Sequence, residues 1–68
     1  KVFMNKLFKP GDLVAVNIRM FIILEYVPYA DKTYDPNDHI VYTYDFNADT
    51  YQNIWESTLH CGTLLVDS

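Results

Sequence analysis

The densest set of potential ligand residues in this sequence lies in one stretch near residue 50. Counting Asp45 as position 1, oxygen-bearing side chains occupy positions 1, 3, 5 and 9, and a glutamate occupies position 12. This is the spacing with which an EF-hand loop surrounds Ca²⁺ with hard oxygen ligands, completed by a bidentate Glu. The candidate metal ligands in this stretch are Asp45, Asn47, Asp49 and Glu56.

Other features of the same stretch disfavour a calcium loop. Position 6 is Thr50, where the sharp turn of an EF-hand needs Gly. The flanking sequences are rich in β-forming residues, whereas an EF-hand loop lies between two helices. The alternative interpretation is a polar turn in which Asp and Asn side chains accept hydrogen bonds from nearby backbone amides. We favour the turn, and the sequence predicts no bound cofactor.

A second set of chemistry-bearing residues is His39, His60 and Cys61. A structural zinc site takes four ligands, usually in paired spacing, and this set supplies three. Adjacent strand residues point to opposite faces, so His60 and Cys61 are badly placed to act on one metal ion or as a catalytic pair. We therefore interpret these residues as two ordinary histidines and a buried thiol at the start of a strand, and we expect a protein without enzymatic activity.

The short length and high aromatic content of the chain indicate that it associates with a partner or with a second copy of itself. The 68 residues form one domain, whose small core buries only about 60% of the surface that the unfolded chain exposes. The chain nevertheless carries six Tyr, four Phe and one Trp, and each such ring buries roughly 150–250 Å². Because so small a core cannot enclose all of these rings, we expect exposed aromatic surface that a partner or a second copy covers.

Charge and cysteine content exclude several classes of function. Nine acids against five Lys and Arg give a net charge of −4, which disfavours nucleic acid as a partner because phosphate binding needs clustered cations. The single cysteine cannot form an internal disulfide framework, and this indicates a reducing compartment. No apolar run approaches the ~20 residues that cross a bilayer, so we expect a cytoplasmic protein without a membrane partner.

The pattern along the chain predicts five short strands in a single domain, residues 1–68. A helix competes for residues 13–26, because Ile18, Ile22 and Tyr26 share a helical spacing, but the density of Val and Ile favours strands. Residues 1–8 form an N-terminal extension, residues 28–38 a long loop, residues 45–49 a tight connection and residues 56–60 a turn, with a single turn of 3₁₀ helix as the alternative. The predicted strands are 12–18, 20–27, 39–46, 50–55 and 63–67, and the predicted core residues include Val14, Val16, Ile22, Leu24, Val41, Ile54, Leu64 and Val66.

Two segments of the chain carry a resemblance to a known family. The opening Lys9-Pro10-Gly11-Asp12-Leu13-Val14, and Ile54-Trp55-Glu56 followed by Leu64-Leu65-Val66, resemble the small SH3-like barrel proteins of tailed phages, marine ones included. The second strand lacks the Gly usual in that family, and the loop after residue 28 is long. The resemblance implies an all-β, five-stranded SH3-like barrel in the cytoplasm of a host cell, with a ring-forming Sm-like barrel as the neighbouring alternative.

The aromatic residues supply the candidate interaction surface. Tyr42, Tyr44 and Phe46 alternate along the third predicted strand and share one of its faces, while Tyr29 and Tyr34 lie in the long loop. Tyrosine is favoured at interfaces because it combines a large rigid ring with a polar tip. We expect a homo-oligomer, either a dimer or a ring, or a complex with another protein. The alternative is a barrel that binds single-stranded nucleic acid by stacking bases on these rings.

Overall fold

The computed structural model describes residues 7–28 and 38–68 of the chain. Two hairpins, a short helix and a returning strand follow one another along this part of the sequence. The elements are β1 (Leu13–Val16), β2 (Arg19–Val27), β3 (Ile40–Asp45), β4 (Thr50–Trp55), α1 (Glu56–His60) and β5 (Thr63–Val66).

The five strands form one antiparallel sheet in the order β4-β3-β2-β1-β5. The first four strands are a meander, in which each pairs with its neighbour in sequence. After β4 the chain makes the single turn of α1 and returns, so that β5 lies beside β1. The prediction of an all-β protein is confirmed. Within the described residues the sheet is open rather than closed, and β4 and β5 are its two edges.

Both tight hairpins depend on residues that tolerate a positive φ. Asn17 (φ 56°) lies in the two-residue connection between β1 and β2, and Asp49 (φ 54°) ends the four-residue connection between β3 and β4. Asn and Asp adopt this conformation more readily than other non-glycine residues. In the second hairpin, Asp45 Oδ1 accepts hydrogen bonds from the backbone N–H groups of Asn47 (2.9 Å) and Ala48 (3.2 Å). The predicted tight connection at residues 45–49 is therefore confirmed.

The return of β5 depends on one glycine and one aspartate. A Cβ atom on Gly62 would lie 2.2 Å from the carbonyl oxygen of Ala15, so only glycine allows the chain to enter β5 at this distance from β1. At the other end of β5, the buried Asp12 carboxylate accepts hydrogen bonds from the N–H groups of Lys9 (2.9 Å) and Ser68 (2.8 Å). Lys9 Nζ also pairs with the Asp67 carboxylate. The turn that precedes β1 thus binds the two residues that follow β5, Asp67 and Ser68.

The core lies on one side of the sheet, beneath α1, and we call this side the inner face. Its buried apolar side chains are Val14, Phe21, Ile23, Val41 and Leu59, and Phe8, Val16, Tyr26 and Ile54 pack around them.

Half of the predicted core residues are buried in or packed against this cluster, and the other half correct the prediction. Ile22 and Leu24 are only half-buried, because the two-residue turn places Val14 opposite Phe21 and so turns Ile22 to the other face. Leu64 and Val66 are 44% and 51% exposed. They lie on the edge strand β5, beyond which the described chain provides no further element.

Two further predictions from the sequence are modified by the structure, and a third concerns residues that the structure does not describe. Residues 56–60, predicted as a turn or a single turn of 3₁₀ helix, form a short α-helix, and its Leu59 is part of the core. Cys61 is exposed rather than buried, because it lies in the connection after α1 and not inside β5. Tyr29 and Tyr34 of the predicted surface lie outside the described residues. In the described part of the chain, no helix has the length and apolar character needed to cross a bilayer.

Candidate interaction surface

The side of the sheet opposite the core, which we call the outer face, carries an unbroken row of apolar and aromatic side chains. Successive cross-strand partners place one such residue on each of the five strands. Each of these side chains is half-buried or exposed, and no described element packs over them. From β5 to β4, the row consists of Val66, Leu13, Ile22, Tyr44 and Tyr51.

At its β3–β4 end the row widens into a group of rings that hold one another in place. Tyr51 stacks on Tyr42 with ring centres 5.6 Å apart and an interplanar angle of 14°, and its edge meets Tyr44 at 5.1 Å. Phe46 meets Tyr44 edge to face, also at 5.1 Å. The side chains of Tyr51 and Phe46 are 60% and 47% exposed. Such ring geometries are favourable, so the four rings stabilise one another's positions.

The hydroxyl group of Tyr44 has a fixed direction. It donates a hydrogen bond to the Asp49 carboxylate at the end of the β3–β4 turn. This hydrogen bond raises the pKa of Tyr44, because the neutral phenol is the donor. The polar tip of the ring is therefore satisfied inside the chain, and its apolar body lies on the outer face.

The structure places Tyr42, Tyr44 and Phe46 on one surface, at the positions that their alternation along the chain indicates. The sequence interpretation omitted Tyr51, which is the most exposed of the four rings. Its place could be inferred, because a four-residue connection after Asp45 puts Tyr51 opposite Tyr44. The aliphatic members of the row could not be inferred in the same way, since they depend on the register of β1 with β2.

The four candidate calcium ligands do not converge. Asp45 lies on the inner face, where Arg19 pairs with its carboxylate through Nε (3.0 Å) and Nη2. This ion pair lowers the pKa of Asp45, and hydrogen bonds from the turn backbone act in the same direction. Asn47 instead bridges two backbone groups of the neighbouring hairpin, accepting from Met20 N–H (2.9 Å) and donating to the Ile18 carbonyl (3.1 Å).

Glu56 belongs to a different buried group at the other end of the sheet. Its Oε2 accepts hydrogen bonds from the Tyr26 hydroxyl and from Leu7 N–H (3.0 Å), while its buried Oε1 has no hydrogen-bond partner among the described residues. Burial raises the pKa of Tyr26 to about 12, and the hydrogen bond to Glu56 adds to this. The Tyr26 oxygen also accepts from Phe8 N–H (3.0 Å). This group fastens the segment before β1 to the inner face.

Asp38 performs a similar task at the start of α1. Its carboxylate accepts hydrogen bonds from the Ser57 hydroxyl (2.6 Å), from Ser57 N–H (3.2 Å) and from His39 N–H (2.8 Å). Burial acts to raise the pKa of Asp38, but these three hydrogen bonds outweigh it and the pKa is lowered. Among the described residues, no group of three His, Cys, Asp or Glu side chains is placed to hold a metal ion.

Lys9 and Arg19 are the cations within residues 7–28 and 38–68. Lys9 pairs with Asp67 and lies 3.5 Å from Asp12. Arg19 pairs with Asp45, and its guanidinium lies 5.0 Å from the centre of a phenylalanine ring. Both cations therefore already have anionic partners within the chain, which disfavours the use of this part of the surface to bind phosphates.

Comparison with known proteins gives no relative for this chain. No protein-family model matches it, and neither a curated protein nor a solved structure does. The apolar row of the outer face, which no described element covers, is the feature of the chain that bears most directly on its function.

Proposed function

We propose that this chain is a non-enzymatic self-assembling module that forms a homo-oligomer through the outer face of its sheet. The observation that carries the proposal is the apolar row that crosses all five strands. A monomeric protein rarely leaves a large contiguous apolar surface in water, because contact with water is unfavourable for it. A second copy, brought in by a two-fold axis, would cover this row with the same row.

Size and charge support the same proposal. A standard interface takes about 800 Å² from each partner, which is about a sixth of the 4827 Å² that this chain exposes. The row contains no charged side chain, so two copies of a chain with net charge −4 would not bring acids together there. Tyrosine rings are enriched in interface cores, and those at the β3–β4 end of the row include Tyr44, whose hydroxyl group is satisfied by Asp49.

The proposal includes the finer fold assignment, a relative of the small SH3-like or Sm-like barrels. The order of elements supports it: a Pro10-Gly11 turn opens β1, Trp55 ends β4, one helical turn follows, and an apolar β5 returns beside β1. This is the sequence of features on which the resemblance to phage-encoded barrels depends. A cytoplasmic role in an infected host cell belongs to the same proposal.

Sedimentation equilibrium at micromolar concentration tests self-assembly. The chain has a mass of 8.0 kDa, and we expect a mass at least twice as large. Phe46→Lys puts a charge onto the outer face and should shift the equilibrium towards the monomer. Ile18→Lys is the matched control, because Ile18 is also an exposed apolar residue in a hairpin turn but, unlike Phe46, has no contact with the group of rings that continues the row. A wild-type monomer that persists at tenfold higher concentration would contradict the proposal.

A further inference from the structure

Among the described residues, the outer edge of β4 has none of the sequence features that usually keep sheet edges apart. Natural proteins protect edges with Lys, Pro, bulges or very short strands. β4 is six residues long, Thr50–Trp55, and contains no charged residue and no proline. Its pairing with β3 runs without a register shift from one end to the other. Among the described residues, no strand lies beyond it.

The backbone groups that this edge presents can be assigned from the hydrogen-bond pattern. Glu56 N–H donates to the His39 carbonyl (2.8 Å), so the backbone of Glu56 points towards β3. In an antiparallel pair, alternate residues direct their N–H and C=O groups to the same neighbour. Gln52 therefore also points towards β3, whereas Tyr51 and Asn53 direct their N–H and C=O groups outward, away from the sheet.

We propose that two copies of the chain pair through these edges, with β4 antiparallel to β4 and Gln52 opposite Gln52 of the second copy. This inference rests on the proposed self-assembly and names a contact within it. If the two-fold axis is perpendicular to the sheet, the inner faces of both copies lie on the same side. Residues opposite each other must then belong to the same face in both copies, so at the axis one residue lies opposite the same residue of the second copy. With Gln52 at that position, Tyr51 of each copy lies opposite Asn53 of the other copy. Each of these two pairs exchanges two backbone hydrogen bonds, which gives four in total.

Charge and continuity identify the occupant of the edge as a second copy. In this register Asp49 lies opposite Trp55 and Glu56 opposite Ala48, so no acid faces an acid although the chain is acidic overall. Tyr51 belongs both to the edge and to the apolar row of the outer face. Edge pairing therefore joins two five-residue rows into one surface that spans ten strands. Its two-fold axis is perpendicular to an axis that would stack two outer faces, so both contacts fit one closed tetramer.

Site-specific disulfide formation tests the register. In a Cys61→Ser background, which removes the native thiol, Gln52→Cys places two thiols at a non-hydrogen-bonded pair, where Cα atoms lie about 4.5 Å apart. This distance is within the range of about 4.4–6.8 Å that a disulfide spans. With oxidised glutathione as the oxidant, we expect a covalent dimer. Leu65→Cys is the matched control, because Leu65 is an exposed residue of the opposite edge.

Thiols that are already paired react at an effective concentration near millimolar, so Gln52→Cys should cross-link at least about tenfold faster than Leu65→Cys at micromolar protein. Equal rates would overturn the edge contact, and faster cross-linking of Asn53→Cys than of Gln52→Cys would overturn the register. If equal rates accompany an oligomer in sedimentation, the proposed function stands and this inference fails. If sedimentation shows a monomer, both the proposed function and this inference are contradicted.

Hydrogen exchange of the unmodified chain gives an independent measurement that needs no substitution. The amides of Tyr51 and Asn53 should exchange slowly when the chain is assembled and rapidly after dilution to the monomer. The amide of Gln52, which bonds within the sheet, should be protected at both concentrations. Fast exchange of Tyr51 and Asn53 in the assembled protein would overturn the inference.

Discussion

The two faces of the sheet are similar in composition but differ in what surrounds them. The inner face carries apolar side chains together with buried polar groups that have partners within the chain, such as Thr43 Oγ1, which donates to the Gln52 carbonyl (3.0 Å). The outer face carries the apolar row, and no described element covers it. What separates the faces is the position of α1, which places Leu59 against the inner face. An apolar pattern alone therefore does not identify the core of so small a sheet.

The contrast is sharpest between two neighbouring isoleucines of β2. Ile23 is fully buried among Val14, Phe21 and Val41, whereas Ile22 lies on the outer face between Leu13 and Tyr44. The same side chain thus contributes to the core at one position and to the proposed interface at the next.

Truncation of these two residues should produce the largest difference. We expect Ile23→Ala to lower the free energy of unfolding by about 2–5 kcal/mol, because it removes buried methyl groups and leaves a cavity. Ile22→Ala should cost less than about 1.5 kcal/mol in the dilute monomer and should weaken self-association instead. Urea unfolding at low concentration measures the first effect, and sedimentation measures the second. Equal losses of monomer stability would show that the outer face is already covered within the chain.

The comparison also shows how far the sequence could be interpreted. Five strands, the position of the 45–49 turn and the shared face of Tyr42 and Tyr44 follow from local patterns, namely alternation, β-propensity and turn residues. The choice between Ile22 and Ile23 could not follow from them, because β2 is apolar on both sides. It depends on the two-residue turn at Asn17, which sets the register of β1 with β2. A register shift of one residue would exchange the faces on which Ile22 and Ile23 lie.

Long-range contacts account for the other differences. The sequence predicts a buried Cys61 at the start of a strand, but β5 begins only after Gly62, at the place where glycine allows close approach to β1. The burial of Asp12 and Glu56 depends on partners that are distant in sequence. Their partners, Ser68 and Leu7, lie 56 and 49 residues away in sequence.

The second prediction concerns the buried carboxylate next to the apolar row. Asp12 lies on the inner side of β1, directly before Leu13 of the outer row. We expect Asp12→Ala to lower the free energy of unfolding by about 1–3 kcal/mol, because it leaves the N–H groups of Lys9 and Ser68 without their acceptor. Thermal or urea unfolding measures the loss. Asp12→Asn keeps one carbonyl oxygen as an acceptor and should lose less.

The difference between wild type and Asp12→Ala should depend on pH. Burial acts to raise the pKa of Asp12, but the hydrogen bonds from Lys9 and Ser68 outweigh it, so the pKa in the folded state is below the ordinary value of 3.8. The unfolded chain therefore takes up a proton first as pH falls, and the stabilisation present above pH 3.8 is lost as pH falls through the folded pKa. A difference that stays constant from pH 7 to pH 2 would contradict this assignment.

A smaller effect is expected at alkaline pH, from the half-buried Tyr26 phenol of the inner face. The folded chain holds the pKa of Tyr26 at about 12, against 10.0 for an ordinary tyrosine. The unfolded state loses this proton first, so Tyr26 should make stability fall as pH rises from about 10 to 12. Tyr26→Phe should remove the part of the fall in stability with pH that Tyr26 causes. Tyr51→Phe, on the exposed outer face, is the matched control and should retain that fall. Unfolding measured at several pH values between 9 and 12 tests this.

The smallest expected effect is that of calcium, because the two faces divide the candidate ligands between them. Asp45 is paired with Arg19 on the inner face and Glu56 is buried at the far end of the sheet, whereas Asp49 accepts the Tyr44 hydroxyl of the outer face. A calcium ion would have to break these contacts to collect the carboxylates. Millimolar Ca²⁺ should therefore leave Tm unchanged, since a ligand that binds only the folded state must raise it. Mg²⁺ at equal concentration controls for ionic strength, and a rise specific to Ca²⁺ that Glu56→Gln abolishes would show that the carboxylates can leave their partners and converge.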